Sequence, residues 1–367
     1  MSQKQEKPMI VITTGGSGGH IFPAEAIASA LLDKGAQVAF LTDKRGQAFR
    51  GGKGIVTYRL MAESVTGRSL FGKILAAFKL YCGTVQAIFL MYKLKPKAVI
   101  GVGGYASIPA VMAAHLARIP VILHEQNAVL GRANRILARG TRFIGTSFAQ
   151  TFRIPSEIPQ ILVGLPVRSA VLEYKNAPYP AFKNTFHLLV FGGSQGARFF
   201  SQKLPEALMA LPKELRAKID LVQQVRPEDM ETARTFYAEA GFKKLTLKSF
   251  FTDMPEQLKK AHLVIGRGGA GTLTELMVVG RPGIIVPLPT SADNHQTENA
   301  RQFCDKGAGW LFQESDFSPM VLANRLEKLM LNPKILSDSA KRAAALCTDN
   351  ASEKMANAVL DIVRGTK

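Results

Sequence analysis

The 367-residue sequence is poor in cysteine. Its three cysteines, Cys82, Cys304 and Cys347, are widely separated and form no CxxC pair, so we expect neither a disulfide framework nor a structural zinc site. The first residues, MSQKQEKP, lead into a short apolar strand and lack the long apolar segment of a signal peptide. Together these features predict a protein of the reducing cytoplasm.

Acidic residues are also scarce. The chain has 47 Lys and Arg against 28 Asp and Glu, a net charge of +19, and residues 1–156 hold 20 basic residues against 6 acidic ones. Such an excess favours an anionic partner, either a nucleic acid or an acidic lipid surface. We disfavour nucleic acid, because no basic stretch is interleaved with aromatic residues as a stacking platform would be.

The sequence has no long uninterrupted apolar run either. The stretch 74–92 contains Lys79, Gly83 and Gln86, and it falls short of the ~18 apolar residues of a typical membrane span. Within 68–97 a helical stripe nevertheless collects Phe71, Leu75, Phe78, Cys82, Val85, Phe89 and Tyr92. One interpretation is a helix whose stripe faces the core. The other is shallow insertion into an anionic bilayer through Leu70, Phe71, Ile74 and Phe78, with Arg68, Lys73 and Lys79 beside them.

What the sequence does contain is an α/β pattern that occurs twice. Apolar strand-like runs alternate with helical periodicities from end to end, which is typical of parallel sheets covered by helices. Two of these runs lead directly into glycine-rich turns at 15–20 (GGSGGH) and 192–197 (GGSQGA). We predict two Rossmann-like domains, 1–166 and 167–350, with a final helix at 351–367 that packs back on the first.

The first glycine-rich turn, GGSGGH, predicts a site for a diphosphate or an oxyanion. Its glycines let the backbone approach a ligand, and the helix that follows offers free N–H groups and a partial positive charge. The alternative is a tight turn without a ligand. His20, at the end of the turn, is a candidate general base. The turn does not fit GxGxxG with an acid ~20 residues on, which argues against a hydride-transferring dehydrogenase.

Polar residues are concentrated at three further strand ends. The segment 266–276 (GRGGAGTLTEL) predicts a helix N-terminus for phosphates, with Glu275 either accepting ribose hydroxyls or merely complementing the helix dipole. The segment 287–300 (PLPTSADNHQTENA) offers side chains suited to sugar hydroxyls. HEQN, 124–127, ends a buried strand, where open α/β sheets bind ligands, and Glu125 is a second candidate base or part of a structural network. No DxD or DxH motif for a divalent metal is present, so helix dipoles and arginines would stabilise a leaving diphosphate.

Taken together, GGSGGHIFPA, GGYAS, HEQN, GGSQGAR and GRGGAGTLTEL, in this order and spacing, resemble the MurG family over essentially the whole chain. The resemblance implies a GT-B fold, with two Rossmann-like domains facing across a cleft. It implies inverting, metal-independent transfer of N-acetylglucosamine from UDP-GlcNAc to the C4 hydroxyl of undecaprenyl-diphosphate-linked muramyl pentapeptide, the lipid I to lipid II step of peptidoglycan synthesis. It further implies a peripheral enzyme on the cytoplasmic face of the inner membrane that serves cell-wall growth, cell shape and division.

The resemblance also implies roles for individual residues. Ser17, Gly18 and Gly19 would lie near the donor sugar and the acceptor diphosphate, and Asn127 would touch the sugar. Arg168 and Ser194 would bind the donor from the second domain, and the backbone of Phe251 would read uracil. Gln296 would bind hydroxyls of N-acetylglucosamine. The diphosphate and ribose would be held by Ala270, Gly271, Thr272, Leu273, Thr274 and Glu275.

Some positions depart from the family pattern. Leu165 stands where Asn is common, Gly268 where Ser or Ala is frequent, and residues 224–226 (QVR) replace a loop that commonly contains Thr-Gly. These departures leave the donor class unchanged and put individual contacts in question. The alternative enzymes are other GT-B members, such as a glycolipid transferase or a nucleotide-sugar epimerase.

Overall fold

The computed structural model describes residues 7–16, 18–44, 46, 55–63, 69–175, 177–193 and 196–365. The chain divides into two compact units. Unit 1 comprises Met1–Arg168 and Thr348–Lys367, and unit 2 comprises Ser169–Cys347. The boundary therefore lies two residues beyond the predicted one, after Arg168, whose guanidinium lies 6.0 Å from the centre of the Phe22 ring of unit 1.

Unit 1 is built on a seven-stranded parallel sheet. Its strands are ordered β3-β2-β1-β4-β5-β6-β7, and the apolar runs in the sequence become strands buried on both faces. The strands are β1 (Met9–Thr14), β2 (Gln37–Thr42), β3 (Val56–Arg59), β4 (Ala98–Gly101), β5 (Val121–Glu125), β6 (Phe143–Thr146) and β7 (Gln160–Leu162). The helices are α1 (Gly18–Asp33), α2 (Leu70–Leu94), α3 (Ser107–Leu116), α4 (Arg132–Leu137) and, from the end of the chain, α14 (Ala351–Arg364).

Two apolar layers cover the unit 1 sheet. On one face, Ile10 and Ile12 of β1 pack with Ile27 of α1 and with Met355 and Val359 of α14. On the other face, strand residues pack against α2, α3 and α4. The last helix of the chain is thus part of the unit 1 core, so the chain returns to its first domain after completing unit 2.

The aromatic stripe of helix α2 faces away from the core. The interpretation of the stripe as core-facing is therefore wrong. Phe71, Phe78 and Phe89 are 77%, 60% and 70% exposed, whereas Ala76 and Ala87 are fully buried. The reason is close backbone packing: α2 lies against α3, and a Cβ on Gly83 would meet the Met61 carbonyl oxygen at 1.9 Å. Small residues therefore form the inner face, and the bulky ones are left outside.

By length and composition, the α2 segment Phe71–Leu94 could cross a membrane. In the sequence, Lys79, Gly83 and Gln86 interrupt this segment and predict that it is not a span. In the fold, the small-residue face of α2 is buried against the rest of unit 1. That face is not available to lipid in the folded chain.

Unit 2 repeats the architecture with a six-stranded parallel sheet, ordered β10-β9-β8-β11-β12-β13. Its strands are β8 (Phe186–Phe191), β9 (Ile219–Gln224), β10 (Lys244–Lys248), β11 (Leu263–Gly266), β12 (Gly283–Ile285) and β13 (Gly309–Leu311). Its helices are α5 (Ser169–Leu172), α6 (Arg198–Met209), α7 (Lys213–Arg216), α8 (Met230–Tyr237), α9 (Met254–Lys260), α10 (Ala270–Val279), α11 (His295–Cys304), α12 (Pro319–Leu331) and α13 (Pro333–Ala345). Short 3-10 turns occupy Pro227–Asp229, Ala292–Asn294 and Glu314–Asp316.

The strand order of both sheets locates the candidate sites. In each unit the strand order reverses between the first strand and the fourth, which are direct neighbours: β1 pairs with β4 in unit 1, and β8 pairs with β11 in unit 2. Ligands of open α/β sheets bind in the crevice outside the carboxyl ends of such a pair. The glycine-rich turns of the sequence lie at these ends.

Candidate active site

The candidate site of unit 1 lies where β1 and β4 end. The Gly15 N–H donates to the Gly103 carbonyl oxygen at 3.0 Å, and a Cβ on Gly104 would lie 3.0 Å from the Gly15 Cα. Only glycine lets the two backbones approach so closely, and Gly103 and Gly104 both have positive φ. The motifs GGSGGH and GGYAS therefore form one structure. Ser17 lies outside the described residues.

Helix α1 presents its N-terminus at this site. It begins at Gly18, and a Cβ on Gly19 would meet nothing within 4 Å. The first N–H groups of a helix have no partner within it, and the helix dipole favours an anion there. This geometry accommodates a phosphate or an oxyanion at Gly18 and Gly19.

His20, in the first turn of α1, lies against the loop that follows β4. A Cβ on Gly103 would lie 3.2 Å from the His20 Cε1 and 3.3 Å from its Nδ1. Its charge also acts on the buried His124, whose pKa is lowered to about 4, chiefly by burial and also by repulsion from His20. The candidate base thus lies beside a histidine that stays neutral.

Glu125 is the centre of a hydrogen-bond network at the end of β5. Its Oε1 accepts from the Asn127 N–H at 3.0 Å and from the Asn127 side chain at 3.2 Å. Its Oε2 accepts from the Gly131 N–H at 2.9 Å and from the Asn134 side chain at 2.8 Å. Four donors converge on one buried carboxylate, which therefore fixes the loop from 125 to 134, including Asn127.

The candidate site of unit 2 begins at the glycine-rich turn after β8. Its Gly192 N–H donates to the Gln224 Oε1 at 3.1 Å, and the Gln224 Nε2 donates to the Ser249 carbonyl oxygen at 3.2 Å. Gln224 thus links the turn to the end of β10, two residues before Phe251. The side chain of Phe251 is buried under the Lys248 ammonium, so its backbone is the part suited to a ligand. Ser194 lies outside the described residues.

Helix α10 follows β11 after a turn of three residues and supplies a second N-terminus suited to an anion. It starts at Ala270, and a Cβ on Gly271 would meet nothing within 4 Å. The Thr274 hydroxyl donates to the Ala270 carbonyl oxygen at 2.9 Å. Thr272 and Glu275 lie partly exposed on the same first turns. The side chain of Leu273 is fully buried, so it belongs to the core and only its backbone lies at the turn.

Arg267, the arginine of GRGGAGTLTEL, makes its contacts inside unit 2. Its guanidinium is buried, pairs with Glu314, donates to the Val286 carbonyl oxygen at 3.2 Å and lies over the ring of Phe200. It links the turn after β11 to the end of β12, so its positive charge is paired inside the protein. The sequence interpretation, which assigned leaving-group stabilisation to arginines in general, did not anticipate this internal role.

Gln296 lies at the start of α11, close to the β11 turn. Its Oε1 accepts from the Leu288 N–H at 2.9 Å, which leaves its amide N–H groups as the donors available to a ligand. The Asn299 side chain donates to the Gly268 carbonyl oxygen at 3.0 Å, and a Cβ on Gly268 would lie 2.3 Å from the Gln296 carbonyl oxygen. The departure at Gly268 therefore allows α11 to close against the turn.

The structure distributes the predicted residues as two sets. Gly18, Gly19, His20, Glu125 and Asn127 belong to unit 1, and the residues from Phe251 to Gln296 belong to unit 2. Arg168 was expected in the second domain, but it lies in unit 1, beside Phe22. Among the described residues, no group of three or more His, Cys, Asp or Glu side chains is arranged to hold a metal.

The contributions of Gln126, Asn134 and Gln224 were missed. Each is a buried amide whose partners come from other segments of the chain. The available signal was position, because Gln126 and Gln224 both lie at the carboxyl end of a buried strand.

Two family models match the chain. The N-terminal domain of glycosyltransferase family 28 matches residues 10–144, and its C-terminal domain matches residues 187–359. These two stretches fall within the first and second structural units, except that the C-terminal match extends into α14.

Relatives match over nearly the whole chain. A protein of Paramagnetospirillum magneticum named UDP-N-acetylglucosamine--N-acetylmuramyl-(pentapeptide) pyrophosphoryl-undecaprenol N-acetylglucosamine transferase is 46% identical, and the match covers 98% of each chain. A protein of the same name from Rhodospirillum centenum is 44% identical over 96% of this chain and 93% of its own.

Solved structures agree in fold. The crystal structure of the MurG of Acinetobacter baumannii has a TM-score of 0.79 and 32% identity, covering 96% of this chain and 99% of that one. A UDP-GlcNAc 2-epimerase from Neisseria meningitidis, at 12% identity and a TM-score of 0.68 over 96% of this chain and all of its own, shares the fold alone. The sheets, the family models and these matches agree: the fold is GT-B, and the chain belongs to glycosyltransferase family 28.

Proposed function

We propose that this chain transfers N-acetylglucosamine from UDP-GlcNAc to undecaprenyl-diphosphate-linked N-acetylmuramoyl pentapeptide, converting lipid I to lipid II in peptidoglycan synthesis. The observation that carries the proposal is near-full-length identity of 40–46% to transferases named for this reaction. The two helix N-termini at the sheet switch points support it, since the donor and the acceptor each carry a diphosphate.

Unit 2 holds the donor in this proposal. The free N–H groups at the start of α10 bind the diphosphate, and Glu275 accepts the ribose hydroxyls. The backbone at Phe251 reads uracil, Ser194 binds nearby, and the amide N–H groups of Gln296 donate to sugar hydroxyls. The support from geometry is that Gln224 links the Gly192 turn to Ser249, two residues before Phe251, so these proposed donor contacts share one hydrogen-bonded framework.

Unit 1 holds the acceptor. Its diphosphate lies at the start of α1, near Ser17, Gly18 and Gly19, and His20 removes the proton of the attacking hydroxyl. The C4 oxygen bonds to the anomeric carbon, the bond from that carbon to the UDP oxygen breaks, and the configuration inverts. Helix dipoles stabilise the departing diphosphate, without a metal. Glu125 is the less suited base, because four donors already engage its carboxylate.

Membrane attachment through α2 is part of the proposal. Phe71, Ile74 and Phe78 project into solvent, and Lys73 is exposed near them, which suits shallow insertion into an anionic bilayer. Lys79 contributes less free charge than expected, because its ammonium lies 2.7 Å from a Glu63 carboxylate oxygen. The side chain of Leu70 is outside the described atoms. The enzyme then works peripherally on the cytoplasmic face, where its lipid-linked acceptor is found.

Release of UDP from UDP-GlcNAc, with and without a lipid I analogue and in the presence of EDTA, tests the assignment. We expect release that depends on the acceptor and survives the chelator. Release without acceptor would favour a hydrolase or an epimerase, and loss of activity in EDTA would overturn the metal-independent mechanism. Failure to bind UDP-GlcNAc at all would overturn the donor assignment.

A further inference from the structure

The Gln126 side chain is a buried amide between β4 and β5 that the proposed reaction does not use. It is 4% exposed, and its Nε2 donates to the Val102 carbonyl oxygen at 2.8 Å. The same nitrogen lies 3.0 Å from the His124 Nδ1 and 3.3 Å from the His124 carbonyl oxygen. All the partners of this nitrogen are acceptors.

These contacts fix the protonation of His124 and the orientation of the amide. The His124 Nε2 lies 3.0 Å from the Gly164 carbonyl oxygen, which can only accept, so Nε2 carries the proton and Nδ1 accepts from Gln126. Burial, which lowers the pKa of His124 to about 4, keeps the ring neutral. Rotating the Gln126 amide by half a turn would place its oxygen against two carbonyl oxygens and a ring lone pair. The Oε1 atom must therefore face the other way.

On that other side lies His20. A Cβ placed on Gly103 would lie 3.4 Å from the Gln126 Oε1 and 3.3 Å from the His20 Nδ1. Both atoms therefore lie beside the same face of Gly103. The Gln126 Oε1 is buried and accepts no hydrogen bond from any described residue. A buried acceptor without a donor costs about 1–3 kcal/mol, so a neighbouring N–H is strongly favoured as its partner.

The geometry points to Gln126 as the positioning residue that sets the tautomer of His20. Its Oε1 accepts the Nδ1 proton of His20 when the ring turns toward it, so the Nε2 of His20 is left unprotonated toward the acceptor substrate. When Nε2 takes the hydroxyl proton, the ring becomes a cation, and its hydrogen bond to Gln126 strengthens. A chain of hydrogen bonds then runs from the Gly164 carbonyl oxygen through His124 and Gln126 to His20. The inference rests on the proposed role of His20 as the base.

The tautomer can be read directly from the ¹⁵N resonances of the ring nitrogens of His20, assigned with a His20→Ala variant. In the wild-type protein, above the pKa of His20, we expect a protonated Nδ1 and an unprotonated Nε2. Gln126→Met, which keeps the side-chain length but removes the acceptor, should give a mixture of tautomers. Gln126→Glu in its protonated form, whose O–H can donate to the Val102 carbonyl oxygen as the amide does, keeps an acceptor oxygen toward His20 and should return the Nδ1–H form. Gln223→Met, loss of a buried amide in unit 2, is the matched control and should leave His20 unchanged.

Kinetics separate positioning from a general structural effect. Gln126→Met should lower kcat by roughly tenfold to a hundredfold, at most the lower end of the ~10²–10⁴ contribution of general-base catalysis, and leave the KM for UDP-GlcNAc almost unchanged. In a His20→Ala background the same substitution should have no further effect on kcat. An equal loss in both backgrounds, or an unprotonated Nδ1 in the wild-type protein, would overturn the inference. Full turnover of His20→Ala would instead refute the base assignment, while the ring resonances still decide the contact.

Discussion

At the residue scale, the two candidate bases differ in what surrounds them. His20 lies against the loop that follows β4, whereas the Glu125 carboxylate accepts four hydrogen bonds in a buried position. The sequence identified both residues but could not rank them, because the donors to Glu125 include the backbone of Gly131 and the side chain of Asn134. Such partners become visible only when the loop is folded.

Glu125→Gln tests this distinction. The substituted amide would turn an NH₂ group toward donors that now meet an oxygen, leaving at least one buried donor unpaired. We expect the free energy of unfolding to fall by about 1–3 kcal/mol in urea titrations, together with a loss of turnover. Unchanged stability with lost turnover would instead indicate that Glu125 is the base.

Gly268 is a second position where one atom decides the geometry. In Gly268→Ala the new Cβ would lie 2.3 Å from the Gln296 carbonyl oxygen, so the start of α11 must move. We expect the KM for UDP-GlcNAc to rise by roughly tenfold, about 1.4 kcal/mol, because Gln296 is proposed to contact the sugar. Calorimetry with UDP, which has no sugar, is the internal control and should show almost unchanged affinity. Equal losses for both ligands would argue against the sugar contact.

At the scale of elements, α2 shows what a sequence pattern cannot predict. Helical periodicity correctly groups its aromatic residues on one stripe, but periodicity does not say which stripe faces inward. The answer depends on how closely α3 and the Met61 backbone approach, and Gly83 and the buried alanines allow that approach. A pattern that scores only hydrophobicity places the bulkier side inside.

The exposed face of α2 should control membrane binding without controlling stability. Replacing Phe71, Ile74 and Phe78 by Ser should reduce binding to anionic vesicles, since a buried side chain of this size contributes roughly 1.5–3 kcal/mol. That is about tenfold or more per residue in sedimentation assays, and the thermal midpoint should stay the same. The contrasting variant is Ala87→Phe on the buried face, which should lower the thermal midpoint. Retained vesicle binding by the triple variant would exclude α2 as the attachment site.

At the scale of the whole molecule, the sequence predicts far more of the fold than of the site. The repeated strand-and-glycine pattern is enough to predict two parallel sheets, because buried strands read as continuous apolar runs. It does not reveal that Gln224 joins two strand ends, or that the positive charge of Arg267 is paired with Glu314 inside the protein. Those contacts depend on strand order and register, which bring residues distant in sequence to one edge.

Each unit also carries a buried histidine whose folded-state pKa is depressed, and this gives the whole molecule a predictable pH dependence. Burial is the main cause of a pKa of about 4 for both His124 in unit 1 and His262 in unit 2. An unfolded histidine has a pKa of about 6.5, so between that value and about 4 the unfolded chain binds protons that the folded chain does not. Stability therefore falls as the pH is lowered through this window.

The expected loss approaches about 1.4 kcal/mol per pH unit for each histidine, and urea titrations between pH 7 and pH 4.5 would measure it. A variant carrying both His124→Asn and His262→Asn provides the comparison. It should be less stable at pH 7, because it loses the Gly164 contact of His124 and the ring stacking of His262, yet its stability should depend less on pH. A slope as steep as that of the wild-type protein would mean that other groups take up the protons, and that neither histidine is held neutral by the fold.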